Sequence, residues 1–175
     1  PNTKFMIRHS YLNSSKPIAI AHRGGAKYGF ENTMEAFDNA ISIGYKYLET
    51  DVHVTSDDRL VVFHDDTLDR VTDGKGYIYK HTWSELNKIK IGGKFKIPLL
   101  EDLILSWPKT NFNLDPKNDN VIMPLINFLK NNKVLNRICV GSFSDKRLNV
   151  IRKAIGSELC KQIIKLNPNS YIFSY

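Results

Sequence analysis

Short segments rich in β-branched and apolar residues alternate along the chain with segments in which apolar residues recur every three or four positions. The first kind predicts strands at Ile18–Ala21, Tyr47–Val54, Leu60–Phe63, Asn111–Leu114 and Arg137–Val140. The second kind predicts helices at Thr33–Ile43, Leu99–Leu105, Pro124–Asn131 and Asp145–Ile155. Because strands and helices broadly take turns, the pattern predicts an α/β fold with mainly parallel strands.

Capping residues mark the starts of two predicted helices. Asn32 is placed to cap the first helix, with Glu35 in capping-box spacing. Thr82 and Glu85 repeat the same spacing and predict a further, short helix.

One connection does not follow the alternating pattern. Only eight residues separate Asp51 from Leu60, which is too short for a helical crossover between parallel strands. The chain either crosses over without a helix or makes a hairpin turn at the TSDD segment. Either geometry lets His64, which follows the second of these strands, approach Glu49 and Asp51.

Length and composition indicate a single globular domain. The chain has 175 residues, 42% of them hydrophobic, which is enough for a hydrophobic core. No apolar run approaches the length of a membrane span. The two cysteines lack metal-ligand spacing and the first residues lack the apolar core of a signal peptide, so a cytoplasmic protein is expected.

The charge balance indicates an anionic partner. Lys and Arg number 25 against 18 Asp and Glu, a net charge of +7, which favours nucleic acid, acidic lipid or a phosphate-bearing small molecule. A cluster of lysines lacks the interleaved aromatic residues of a single-strand nucleic-acid groove; its members are Lys88, Lys90, Lys94 and Lys96. No nucleic-acid recognition motif is present, so a nucleic-acid partner is not expected.

Chemically active side chains stand at or just after the C-terminal ends of four separate strand candidates. They are His22 with Arg23, Glu49 with Asp51, His64, and Asp115 with Lys117. Functional groups gather at that edge of parallel sheets. Three carboxylates meeting there would repel one another unless a cation joined them, and all-oxygen ligation suits Mg²⁺ or Ca²⁺. Two histidines beside such a cation could act as general acid and general base, and the two basic side chains could contact a phosphate.

Each of these residues also has an ordinary structural interpretation. Glu49 and Asp51 alternate with apolar residues, as on a solvent-facing strand. His64 could be a turn residue paired locally, and the Asp115-Pro116 sequence is common in turns. The functional hypothesis depends on their joint placement, not on any one residue.

The motifs around these residues resemble a known family. AHRGG, ENTMEAF, LETDVHVTSDDRLVVFHDDTLDRVTDGKG, TWSEL, IPLLEDL, FNLDPK and VGSFSDKRL occur in this order between residues 18 and 156. This resembles the glycerophosphodiester phosphodiesterase family, TIM-barrel enzymes related to phosphoinositide phospholipases C. The resemblance implies a (β/α)₈ barrel and metal-dependent hydrolysis of a small-molecule glycerophosphodiester to glycerol phosphate and an alcohol.

The resemblance also implies a role for each matched residue. The implied metal ligands for one Mg²⁺ or Ca²⁺ are Glu49, Asp51 and Asp115, the acid/base pair is His22 and His64, and the phosphate contacts are Arg23 and Lys117. The segment from about residue 66 to residue 100 is implied to be an inserted subdomain over the barrel mouth.

Three features depart from the family pattern. Phe30 stands before ENT where proline is usual, which is expected to change only the loop. Asp115 replaces a frequent Glu, which sets the carboxylate back by one methylene. A full barrel needs about 250 residues, whereas five strand candidates and a sixth near Leu159–Ile163 are present. The sequence therefore predicts a barrel truncated after five or six strands, whose open edges would favour self-association.

Two functional hypotheses follow. In the first, the protein is an enzyme: one histidine activates water or the substrate's own glycerol hydroxyl, and the other, His64 in our assignment, protonates the leaving alkoxide. In the second, the chain is a non-catalytic remnant or phosphate-binding module of the same fold. Metal-dependent turnover distinguishes the two.

Overall fold

The computed structural model describes residue 11, residues 17–25 and 30–156, and the backbone of residues 163–165. The strands are β1 (Tyr47–Val54), β2 (Leu60–Val62), β3 (Lys90–Ile91), β4 (Phe95–Lys96), β5 (Asn111–Pro116), β6 (Ile138–Ser142) and β7 (Ile163–Lys165). The helices are α1 (Met34–Ser42), α2 (Trp83–Leu86), α3 (Leu100–Ser106), α4 (Ile122–Asn131) and α5 (Asp145–Ile155). None of the described helices is long and apolar enough to cross a membrane.

The main sheet has the strand order β2-β1-β5-β6-β7. Strands β1, β5, β6 and β7 pair in parallel, whereas β2 runs antiparallel to β1. Successive parallel strands are neighbours in chain order, and a helix lies between each pair. This is the repeating unit of a (β/α) barrel, so the predicted α/β class is confirmed.

The first predicted strand differs from the structure. Residues 17–20 have no regular structure, and the predicted strand Ile18–Ala21 is reduced to one parallel bridge between Ala21 and Leu48. Pro17 has no amide hydrogen to donate, and the chain turns directly after Ala21. Near the strand predicted at Leu159–Ile163, the structure has β7 from Ile163 to Lys165; residues 157–162 lie outside the described residues.

The short connection after β1 is a hairpin. Val52, His53 and Val54 pair with residues of β2 in antiparallel register. The turn closes with the amide of Thr55 donating to the carbonyl of Arg59, and Asp58 adopts a left-handed backbone with φ of 58°. Aspartate tolerates that conformation better than most residues, which explains how so short a loop reverses the chain.

The start of α1 corrects one capping assignment. Thr33, not Asn32, is the N-cap: its side chain accepts a hydrogen bond from the amide of Ala36. Asn32 has φ of 56° and is buried, with its side chain engaged elsewhere. The capping box predicted for α2 is confirmed, because Thr82 and Glu85 bond to each other's backbone amides.

The apolar side chains form two clusters on opposite sides of β2. The larger lies between the main sheet and its helices and includes Leu60 and Val62. The smaller contains Val61 and seven further residues, which are Phe63, Leu68, Ile78, Leu86, Ile91, Ile97 and Leu99. Residues 66–99 thus pack around a small core of their own; their predicted position over a barrel mouth stays a prediction.

Candidate active site

The predicted carboxylates lie side by side in the middle of the main sheet. Glu49 and Asp51 share one face of β1, and Asp51 is in register with Asp115 on β5. Their exposed fractions are only 4%, 2% and 5%. The solvent-facing interpretation of these residues is therefore wrong, because both strands are covered on this face.

Two basic side chains hold these carboxylates. The Lys117 ammonium lies 3.2 Å from Oδ1 of Asp51 and 3.2 Å from Oδ2 of Asp115. The backbone amide of Arg23 donates to Oε2 of Glu49 at 3.0 Å. The side-chain Nε of Arg23 lies 3.4 Å from Oδ2 of Asp51. Burial alone would lower the pKa of Lys117, but the charges of Asp51 and Asp115 raise it. Lys117 is thus a permanently charged neighbour of both aspartates.

Asn32 orients Asp51 from the loop before α1. Its amide nitrogen donates to Oδ2 of Asp51 at 2.9 Å, and its amide oxygen accepts from the hydroxyl of Thr50 at 2.9 Å. Both bonds are buried. Asn32 lies in the ENT motif of the resemblance, but its local pattern predicts only a helix cap and not this role.

One predicted histidine, His22, lies against this group, and the other, His64, follows β2, which pairs with β1. Nε2 of His22 is 3.7 Å from Oε2 of Glu49. Burial and then the charge of Arg23 lower the pKa of His22, and His64 is close enough for its charge to contribute. The backbone after β2 is tied to the site because the amide of Phe63 donates to the carbonyl of Asp51. The lowered pKa of His22 favours its neutral form.

His64 has two supporting contacts that were not predicted together. Its Nδ1 lies 2.5 Å from Oδ1 of Asp65, so the local pairing considered from the sequence is present. Its carbonyl accepts from Nε2 of buried His53 at 3.2 Å. Since a carbonyl can only accept, Nε2 of His53 carries the proton and Nδ1 accepts from the side chain of Asn118. The sequence offered no partner for His53, which links the ends of β1, β2 and β5.

Phe30 does more than change its loop. Its ring packs against that of Phe95 on β4, with centroids 5.5 Å apart. The Phe30 ring also lies directly over Gly92, in the turn between β3 and β4, so a side chain at Gly92 would displace the ring. The loop before α1 is thus attached to the β3–β4 hairpin.

Comparison with known proteins places the chain in a family. A sequence profile of the "Glycerophosphoryl diester phosphodiesterase family" matches residues 22–171. The chain belongs to this family. The match begins at His22 and includes every predicted site residue.

Individual relatives show the same likeness. A glycerophosphodiester phosphodiesterase of Caldanaerobacter subterraneus is 36% identical over 152 residues, which are 79% of this chain and 63% of the relative. The crystal structure of a glycerophosphoryl diester phosphodiesterase from Parabacteroides distasonis is 25% identical with a TM-score of 0.73, covering 90% of this chain and 65% of that one. An Oleispira antarctica phosphodiesterase, solved with its product sn-glycerol-3-phosphate, is 31% identical with a TM-score of 0.69, covering 85% and 64%.

These comparisons confirm the TIM-barrel fold class. The chain spans about three fifths of the length of the relatives it matches, between 63% and 65% for these three.

The donor set of the site fits a divalent cation, on which this family generally depends. Burial and the charges of Asp51 and Asp115 raise the pKa of Glu49, and burial raises that of Asp115. Asn113, in register with Glu49, has a buried side-chain oxygen without a hydrogen-bond partner. A surplus of buried negative charge and an unsatisfied oxygen are what a hard cation would relieve.

A different group has the most compact ligand geometry. Among the described residues, ligand atoms that all lie within 4.8 Å of one another occur in Glu31, His64 and Asp65. The predicted trio of Glu49, Asp51 and Asp115 is not among these groups, and the Lys117 ammonium contacts both Asp51 and Asp115.

Proposed function

We propose that this protein hydrolyses glycerophosphodiesters to glycerol phosphate and an alcohol with the help of one divalent cation, Mg²⁺ or Ca²⁺. The observation that carries the proposal is the buried, in-register pair Asp51 and Asp115 bridged by Lys117. Carboxylates that bind a cation beside basic groups that bind a phosphate are the components that phosphodiester cleavage requires. The family and its product-bound relative support the substrate class.

Glu49, Asp51 and Asp115 would hold the cation, which when bound supplies positive charge to the phosphate oxygens. Arg23 and Lys117, already fixed by these carboxylates, contact the remaining phosphate oxygens. Their charges are held in place before the substrate arrives, so little reorganisation is needed during the reaction.

The two histidines move the protons. The lowered pKa of His22 favours its neutral form, so its ring can accept the proton of the attacking hydroxyl, whether from water or from the glycerol of the substrate. The attacking oxygen forms a bond to phosphorus while the bond to the leaving oxygen breaks. When water attacks, glycerol phosphate forms directly; when the substrate's glycerol hydroxyl attacks, a cyclic phosphate forms, and water opens it to glycerol phosphate in a second displacement. As the general acid, His64 gives the proton on its Nε2 to that leaving alkoxide, while the proton on its Nδ1 stays towards Asp65. Asp65 beside Nδ1 leaves Nε2 of His64 as the nitrogen for this transfer.

The proposal is tested by turnover of glycerophosphocholine with Mg²⁺, with Ca²⁺ and with EDTA. We expect turnover only with a divalent cation. His22→Ala and His64→Ala should each lose about 100-fold or more in kcat, while calorimetry shows nearly unchanged cation binding. His81→Ala is the matched control, because the ring of His81 contacts only the carbonyl of Tyr77 among the side-chain hydrogen bonds described.

Three outcomes would contradict the proposal. Full activity in EDTA would exclude the cation. Near-normal turnover of His64→Ala with an alkyl-alcohol leaving group would exclude its role as the acid. Binding of glycerol 3-phosphate without turnover under any of these conditions would favour a phosphate-binding module.

The cation ligands are tested separately by calorimetric titration with Mg²⁺ or Ca²⁺. Glu49→Gln, Asp51→Asn and Asp115→Asn should each weaken binding, since each removes one charged oxygen ligand. Glu101→Gln, on the exposed side of α3, is the control and should bind as the wild type does. Unchanged affinity in Asp115→Asn would remove Asp115 from the ligand set.

A further inference from the structure

A continuous chain of ion pairs connects His64 to Arg23 through a residue of the segment that follows β2. Nδ1 of His64 lies 2.5 Å from Asp65, and Asp65 receives both Nε and Nη2 of Arg70, at 2.5 and 2.9 Å. Nη2 of Arg70 also donates to Oε1 of Glu31 at 2.5 Å. The other oxygen of Glu31 accepts from Nη1 of Arg23 at 3.2 Å. The Arg70 guanidinium therefore connects Asp65, beside His64, with Glu31, beside Arg23.

The charged side chains in this series of ion pairs neutralise one another. The bonds from Arg70, and then that from His64, lower the pKa of Asp65 to about 2 against the effect of its partial burial. Arg70 and Arg23 likewise lower the pKa of Glu31, although burial opposes them. Two carboxylates thus face two guanidinium groups. The compact group of Glu31, His64 and Asp65 is already neutralised and does not need a metal ion.

Arg70 is anchored by its own neighbours in the chain. Leu68 is fully buried in the smaller apolar cluster, and Val71 packs against it. The carbonyl of Val71 accepts from the amide of Gly92 at 2.8 Å, and the amide of Leu68 donates to the carbonyl of Gly76. The backbone that carries Arg70 is therefore held on both sides, although its side chain is 48% exposed.

We propose that Arg70 is a positioning residue that sets the His64 ring through Asp65 and the Arg23 guanidinium through Glu31. The inference rests on the proposed function, in which His64 protonates the leaving group and Arg23 binds the phosphate. The segment after β2 thus contributes to the active site without touching the substrate. A planar guanidinium suits this task because its several N–H groups can serve two carboxylates at once, whereas a lysine ammonium is a single point of charge.

Because Arg70 reaches His64 through Asp65 and Arg23 through Glu31, variants of the two carboxylates should change different kinetic constants. Asp65→Asn disturbs His64 and should lower kcat on glycerophosphocholine with little change in KM. Glu31→Gln disturbs Arg23 and should mainly raise KM. Arg70→Met should do both, with kcat lowered about 10-fold or more, because small displacements of catalytic groups are costly. Arg70→Lys should recover part of the loss.

The matched control is Lys75→Met, in the same segment. Lys75 is 76% exposed and faces only Asp69, at 3.6 Å, among the ion pairs described. The turnover of the Lys75→Met variant should equal that of the wild type. If Asp65 and Arg70 act on His64 through the same series of ion pairs, the Asp65→Asn/Arg70→Met double variant should lose no more kcat than the more damaged single variant.

A spectroscopic measurement keeps this inference separate from the proposed function. The ¹⁵N and ¹H signals of the His64 ring report whether Nδ1 holds its proton towards Asp65. We expect them to move in Asp65→Asn and Arg70→Met and to stay in Lys75→Met. If the wild type has no turnover, the proposed function fails, while these signals still decide whether Arg70 holds the ring.

Two results would overturn the inference. One is an Arg70→Met variant with wild-type ring signals and wild-type kinetics. The other is calorimetry in which Glu31→Gln and Asp65→Asn abolish Mg²⁺ or Ca²⁺ binding while Glu49→Gln retains it, since the group would then be a cation site.

Discussion

Asp51 is oriented by Asn32, which lies outside the sheet. In Asn32→Ala, the loss of buried partners by Thr50 and Asp51 should lower the free energy of unfolding by about 1–3 kcal/mol, to which the strain of alanine in the left-handed backbone is added. Loss of a residue that orients a ligand should also weaken cation binding by about 10–100-fold. Urea unfolding and calorimetry measure the two effects.

Asn32→Gly is the matched control for the backbone of Asn32. Glycine adopts its φ of 56° without strain, whereas alanine adds about 1–2 kcal/mol. Both variants lack the side chain and should weaken cation binding equally. Wild-type affinity in both would show that Asn32 does not orient Asp51.

His53 makes stability depend on pH. Burial lowers its pKa, so below about pH 6.5 the unfolded chain takes up a proton here that the folded protein does not. The unfolded state then binds more protons, and the free energy of unfolding falls as the pH is lowered through this window. In His53→Gln, the amide can still donate to the carbonyl of His64. We expect this variant to lose less stability than the wild type between about pH 7 and pH 5, as measured by urea unfolding. Equal losses would contradict this assignment.

At the scale of elements, strained backbone collects at the turns that carry the site. Among the described residues, the non-glycine residues with positive φ are Arg23, Asn32 and Asp58. The first two belong to the site, and the amide of Asn32 donates to the carbonyl of Arg23. The loop before α1 thus holds the strained turn after Ala21, consistent with strain being kept where function requires it.

The turn after Ala21 also needs glycine for its contact with α1. A β-carbon on Gly24 would lie 2.9 Å from the ring of Phe37, and φ there is 76°. Gly24→Ala should therefore destabilise the fold by more than the about 1–2 kcal/mol that left-handed backbone costs alone. Gly25→Ala is the control, because φ is 82° but nothing lies within 4 Å. Denaturant unfolding compares the two, and equal losses would contradict a packing role for Gly24.

At the scale of the whole molecule, the two apolar clusters predict different consequences of equal mutations. Ile78 and Leu125 are both fully buried, the first in the smaller cluster and the second in the larger. Ile78→Ala and Leu125→Ala should each cost about 2–5 kcal/mol. Hydrogen exchange should show faster exchange mainly within residues 66–99 for Ile78→Ala and across the main sheet for Leu125→Ala. Uniform acceleration in both variants would show that the clusters unfold as one unit.

The sequence determines much of the secondary structure. It predicts β1 and α5 with the bounds that the structure has, and it predicts the capping box of α2. These signals come from residues within a few positions of one another, so no knowledge of the fold is needed. The motifs likewise indicate the family and the residues of the candidate site.

Only the tertiary structure decided how the site is supported. Asn32 suits a helix cap by its local pattern, but Thr50 and Asp51, 18 and 19 positions away, determine its actual role. Arg70 and Glu31 are 39 positions apart in the sequence, and no periodic pattern of residues links the two positions. The sequence left open whether a crossover or a hairpin follows β1. The antiparallel pairing of β2 with β1 in the folded sheet decides for the hairpin. Contacts of this kind depend on which backbone segments the fold brings together, and that information is absent from any short stretch of sequence.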